Sequence, residues 1–149
     1  MGLDPNPFMQ PLAREACGKA GLDVRQLQLV EGLAESMPFP DASFDTVVCT
    51  LTLCSVGNPE AAVKERRRVV RPGGRVVFLE HVQDPDFGLL RIQQVVFDPL
   101  QQALADGCHL SRDTEATIQG EVWSQVALQN FRVEGASLIS PHVRGVAVR

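Results

Sequence analysis

The chain has 149 residues, of which 44% are hydrophobic and 21% charged, so it reads as one folded domain with its own core rather than a disordered chain. Its net charge of −4 argues against a nucleic-acid partner, since phosphate binding needs a dense basic face. No segment approaches the roughly 18 uninterrupted apolar residues of a membrane span, and the first residues show no basic-then-apolar signal.

In chain order, Gly2-Leu3-Asp4-Pro5-Asn6 reads as the tail of a strand that ends on an acid and a turn. Residues 8–20 have helical spacing at Leu12, Ala16 and Ala20, with Pro11 in the first turn and Gly21 as the stop. Residues 25–30 alternate apolar and polar, as a half-buried or edge strand does. Residues 32–43 are a loop with two prolines and Asp41-Ala42-Ser43 as turn chemistry. The β-branched run that follows predicts a buried parallel strand over 44–51. Asn58 caps a helix with Pro59 at its first position; the helix runs to about Val70, turns Ala62, Val63, Val69 and Val70 toward the sheet, and pairs Glu60 with Lys64 outside.

Gly73 and Gly74 are expected to end that helix, and residues 75–81 form a second buried strand. Residues 88–104 read as a helix interrupted near Pro99, and 112–120 as a weaker one. Two strands follow, roughly 122–138 with a bulge or break at Gly135, and 142–149. Strand, helix, strand in the middle means a parallel βαβ unit, while the last two strands lie too close for a crossover and pair antiparallel at an edge.

The side-chain chemistry narrows the class. Cys17, Cys49, Cys54 and Cys108 show no Cys-x-x-Cys spacing, and no histidine stands at zinc-finger distance, so no metal site is expected. Cys49 and Cys54 read as small core residues, and a reducing intracellular compartment fits free thiols best. The basic run Arg66-Arg67-Arg68 with Arg71 reads as a solvated helix face. Gly18-Lys19-Ala20 is not a P-loop, because the upstream glycine is missing.

Residues 32–81, from Gly32-Leu33-Ala34-Glu35 through Met37-Pro38-Phe39-Pro40 and Ser43-Phe44-Asp45 to Arg71-Pro72-Gly73-Gly74, form an ordered set. It resembles the class I S-adenosylmethionine (SAM) dependent methyltransferases of small molecules. The strings "VVCTLTLCSV", "RRVVRPGGRVVFLEHV", "QQVVFDP", "DGCHLSRDT" and "PHVRGVAVR" are similar to the methyltransferase-like protein seven family of thiol S-methyltransferases, over essentially the whole chain. A short-chain dehydrogenase on a similar sheet is excluded, because that family's catalytic tyrosine has no counterpart in a chain without Tyr.

The resemblance implies an α/β, Rossmann-like sheet, mostly parallel with an antiparallel C-terminal strand, in the order 3-2-1-4-5-7-6, and a single methyltransferase domain over 1–149. SAM is the implied cofactor and a small molecule, a thiol or similar nucleophile, the implied acceptor. Asp4 matches the acid that bonds the SAM ribose hydroxyls; its alternative is an Asp-Pro-Asn turn that caps the next helix. Ala34 and Glu35 match the adenine-binding turn, although Leu33 stands where many relatives carry an aspartate. Cys49, Thr50 and Leu51 end the fourth strand of the family order and are expected to face the sulfonium. His81 ends the fifth and is the candidate base for the proton of an attacking thiol, with a role in bonding a neighbouring loop as its alternative.

In the same comparison Gly2-Leu3-Asp4 is only the tail of the family's second strand, and the first strand and its Gly-rich turn have no counterpart. Residues 44–51 are therefore expected to form an open edge, a route to self-association. An inactive fold fragment or partner subunit is the alternative to an enzyme. The compartment expected for this chain is the cytoplasm, while the family resemblance implies endoplasmic-reticulum or lipid-droplet association for full-length forms.

Overall fold

The computed structural model describes residues 1–149. Its elements are β1 (Gly2–Asp4), α1 (Met9–Lys19), a 3₁₀ turn (Val24–Gln26), β2 (Leu29–Glu31), β3 (Phe44–Thr50), α2 (Pro59–Val69), β4 (Val70–His81), α3 (Leu89–Leu104), α4 (Thr114–Gln119), β5 (Gln125–Arg132), a second 3₁₀ turn (Ser137–Ile139) and β6 (Pro141–Val148). β1 and β2 form a two-stranded parallel sheet, and the remaining strands form a second sheet in the order β3-β4-β6-β5. β3 and β4 run parallel, whereas β6 is antiparallel to both β4 and β5. These are the neighbour relations that the resemblance implied for an α/β, Rossmann-like sheet with an antiparallel C-terminal strand, divided into two sheets.

The core lies on one face of the larger sheet. Cys49 of β3 and Val76 and Phe78 of β4 pack with Ala62 and Val63 of α2 and Ile118 of α4. α2 starts as expected: the Asn58 side chain accepts from the Ala61 amide at 2.9 Å, and Pro59 costs no hydrogen bond at the first position. Gly145 of β6 sits against the same core. A Cβ there would stand 2.3 Å from the Ala127 carbonyl oxygen and 2.6 Å from the Phe78 ring. Gly145→Ala is expected to lower unfolding free energy by about 2 kcal/mol, since the clash falls on backbone that cannot move aside, and chemical denaturation measures it.

Several expected boundaries are corrected. Gly73 does have a positive φ of 77°, but it does not cap α2. The helix ends at an extended Val70, and Arg71 to Gly74 are a distorted first part of β4, where the pairing with β3 shifts register between Phe44 and Thr46. α3 is continuous through Pro99. Residues 24–26 form a 3₁₀ turn in place of the start of a strand, because Asp23 accepts from the Arg25 amide and tightens the chain there. The long strand expected over 122–138 is confined to Gln125–Arg132, and the second 3₁₀ turn replaces its end.

β3 is the edge of its sheet, and it is less buried than a central parallel strand: Val48 is 69% exposed. β1 is not hydrogen-bonded to β3. Between them lies a groove of about 350 Å³ whose lining includes Gly2, Leu3, Val47, Val48 and Cys49.

Candidate functional site

Parallel α/β sheets present their ligand-binding ends where strands run out into loops at their carboxyl termini. In this chain those ends are Asp4, Glu31, Thr50 and His81. The loop after β3 is held by a side chain from the neighbouring strand. Glu80 Oε2 accepts from the amides of Thr52 at 2.8 Å and Leu53 at 3.0 Å, and the Leu51 amide donates to the Leu79 carbonyl at 2.8 Å. These bonds fix Leu51 with a positive φ of 52°. Glu80 is fully buried, and its Oε1 has no partner, nor does the buried Nη1 of Arg66. Burial pushes the Glu80 carboxyl up to about 7; the Arg66 guanidinium and the two amides oppose the shift.

The expected cofactor residues divide into separate settings. Asp4 closes β1, and its Oδ1 accepts from the Asn6 amide at 2.8 Å, the turn that was its alternative reading. Its other oxygen makes no protein hydrogen bond. Ala34 and Cys49 line the groove between the two sheets. Glu35 is already occupied: its Oε1 accepts from the amides of Gly57 at 2.7 Å and Asn58 at 3.2 Å. It ties the loop after β2 to the start of α2, while Leu33 beside it is exposed. Cys49 is a core thiol, with Sγ 3.6 Å from the Val77 carbonyl oxygen and burial pushing it up to about 11. Thr50 and Leu51 are exposed at the mouth of the loop. A separate groove of about 510 Å³ between α2 and α4 touches none of these residues.

His81 is buried, and its Nε2 lies 3.0 Å from Cys108 Sγ. Burial, followed by the His142 ring opposite it on β6, pushes His81 down to about 4, and Asp98 opposes this only in part. A neutral imidazole so placed is weakly basic. The geometry matches the loop-bonding alternative, with Cys108 as the loop residue.

One grouping of potential ligand atoms escapes sequence reasoning. Cys54, His81 and Cys108 present donor atoms that all lie within 4.8 Å of one another. They come from the β3 loop, the end of β4 and the turn after α3, so no local spacing could reveal the grouping. Glu80 and Asp98 were also missed. Asp98 sits on α3, where its carboxylate accepts from the amides of Leu110 at 2.5 Å and Ser111 at 3.1 Å, from Gln102 at 2.7 Å and from His109 Nδ1 at 3.2 Å. Burial would raise it, but these bonds hold it below the usual carboxylate range. The visible signal was the one acid of α3, next to Pro99, in a helix whose other polar residues are Arg91 and four glutamines.

Residues 1–78 match the family model described as a methyltransferase domain. The chain is 35% identical over 149 residues to thiol S-methyltransferase TMT1B of Homo sapiens, covering 99% of this chain and 61% of that protein. It is 36% identical over 150 residues to thiol S-methyltransferase TMT1A of Homo sapiens, with the same coverage. The chain thus spans about three-fifths of the length of these curated relatives. Among solved structures, a SAM-dependent methyltransferase of Thermotoga maritima, described as a possible histamine N-methyltransferase, superposes with a TM-score of 0.68 at 19% identity, over 100% of this chain and 73% of that one. At that identity the likeness speaks for the fold.

Proposed function

Because the chain belongs to the methyltransferase-domain family of SAM-dependent enzymes, we propose that it carries the fold of a methyltransferase that acts on a small thiol. The observation that carries the substrate class is the 35% identity to a thiol S-methyltransferase across 99% of the chain, since it includes the segments after β4 as well as the family-matched region. When bound, SAM supplies a methyl carbon activated by the sulfonium, open to direct displacement by sulfur.

The residues present fit such a cofactor in part. Asp4 keeps one carboxylate oxygen without a protein partner at a strand's carboxyl end, the chemistry for receiving ribose hydroxyls. Ala34 lines the groove between β1 and β3, and Thr50 and Leu51 lie exposed at the end of the same strand. Glu35 acts one step back, holding the loop that carries Ala34 against α2. His81 serves in this proposal as a positioning residue for the loops around the acceptor. An incoming thiol gives its proton to solvent, and displacement depends on alignment more than on acid–base help.

The open edges of β1 and β3 leave this crevice without a wall in the 149-residue chain, which is expected to self-associate through the β3 edge. The test uses the chain with the matching upstream segment of a thiol S-methyltransferase relative fused ahead of Met1. Supplied with labelled SAM and a panel of thiols, phenols and quinols, it is expected to label thiol sulfur first. Label on protein or RNA, with none on the panel, would overturn the assignment.

A further inference from the structure

We propose that Cys54, His81 and Cys108 form a binding site for one divalent thiophilic metal ion of the zinc class. Two thiols and an imidazole converge here, and all three are buried, with exposures of 2%, 4% and 9%. Tetrahedral zinc bonded to sulfur at about 2.3 Å and to nitrogen at about 2.0 Å separates its ligand atoms by roughly 3.5–3.8 Å. The donor atoms here already lie within 4.8 Å of one another, with His81 Nε2 and Cys108 Sγ at 3.0 Å. Small rotations of the three side chains would admit the ion.

The backbone around the cluster is built independently of any ion. The His109 amide donates to the Cys54 carbonyl at 2.9 Å, so the loops carrying the two cysteines are joined directly. Arg112 Nη1 donates to the carbonyls of Leu53 at 2.7 Å and Val56 at 2.6 Å, bracing the Cys54 loop from below. Asp98 fixes the turn after Cys108 through the Leu110 and Ser111 amides. Such bracing keeps donors in place before the ion arrives, and preorganisation favours binding.

Charge selects the ion. Binding releases one proton from each thiol to solvent and forms two metal–thiolate bonds, with no change in oxidation state. Two thiolates and one divalent cation sum to zero, which suits a buried pocket; a monovalent ion would leave a net negative charge there. Thiolate and imidazole are soft or borderline ligands, so magnesium and calcium, which seek oxygen, are excluded. Nε2 is the nitrogen turned to the cluster, and it is the atom placed to ligate. Three protein ligands leave one tetrahedral position for an exchangeable ligand.

The test is metal analysis of the reduced full chain after dialysis against zinc, with cobalt as a spectroscopic substitute. We expect one ion per chain, two protons released per ion, and thiolate-to-cobalt charge-transfer absorption. Cys54→Ser and Cys108→Ser should each weaken zinc binding by at least about 100-fold, beyond what loss of an outer-shell partner costs, while Cys17→Ser leaves it unchanged. A cobalt spectrum of the wild-type chain without the thiolate band overturns the proposal, and this needs no variant to fold. So does zinc stoichiometry that survives both serine substitutions.

Discussion

Glu80→Ala is expected to lower unfolding free energy by about 3–5 kcal/mol, the scale for leaving two backbone amides without the acceptor that satisfies them. The substitution removes three things at once. The amides of Thr52 and Leu53 lose their shared acceptor, the buried Arg66 guanidinium loses its attraction to the Glu80 carboxyl, and the loop after β3 loses the tether that fixes Leu51. Glu80→Gln isolates the charge, since an amide oxygen still accepts from both backbone groups. Burial raises the native Glu80 carboxyl from 4.5 to about 7. Between those values the native state holds a proton that the unfolded chain has lost, so stability falls as pH rises through the window. The proton-linked part of the Glu80 contribution is full below 4.5 and gone above about 7. The stability difference between wild type and Glu80→Gln should therefore drop by about 2–3 kcal/mol from pH 4.5 to pH 7. Denaturant titrations at several pH values measure both effects. A flat difference would mean that Glu80 is solvated and ionised throughout.

Asp98→Ala is the second large loss, about 3–4 kcal/mol, because a buried carboxylate that accepts four hydrogen bonds leaves the Leu110 and Ser111 amides without partners. The damage should centre on the turn after α3. Hydrogen exchange at Leu110 and Ser111 should rise to near that of exposed loops, while the β4–β6 ladder keeps its protection. The sign of its pH dependence is opposite to that of Glu80. Asp98 is held below the usual carboxylate range, so its contribution is present at neutral pH and is lost as acid protonates it. Retained protection at Leu110 in the variant would show that the turn is held by packing alone.

The sequence carried much of the frame. Phe44–Thr50 and the helix Pro59–Val69 announce themselves through a β-branched run and an Asn-Pro start, and the antiparallel end follows from the short connection between β5 and β6. Gly73 and Pro99 misled for a common reason: local propensity suggested a stop, and tertiary pairing or continued helix packing prevailed. At the site, the position of Asp4 at a strand end was legible, but the prior engagement of Glu35 with Gly57 and Asn58 was not, because it joins residues more than twenty positions apart. The Cys54–His81–Cys108 grouping and the burial of Glu80 were hidden for the same reason. They exist only once β3, β4 and the turn after α3 meet at one end of the sheet.

Calorimetric titration of SAM into the upstream-fused chain and its Asp4→Ala variant tests the central claim, a SAM site built on the carboxyl ends of these strands. The fused chain should bind SAM saturably, and Asp4→Ala should weaken that binding by about 1.5–3 kcal/mol, the scale of a lost charge-assisted hydrogen bond. The unfused 149-residue chain, with β1 and β3 unjoined, should show no saturation. Equal affinity in the fused chain and its variant would reduce Asp4 to the turn residue its bond to Asn6 already makes it, and no binding by the fused chain would contradict the account.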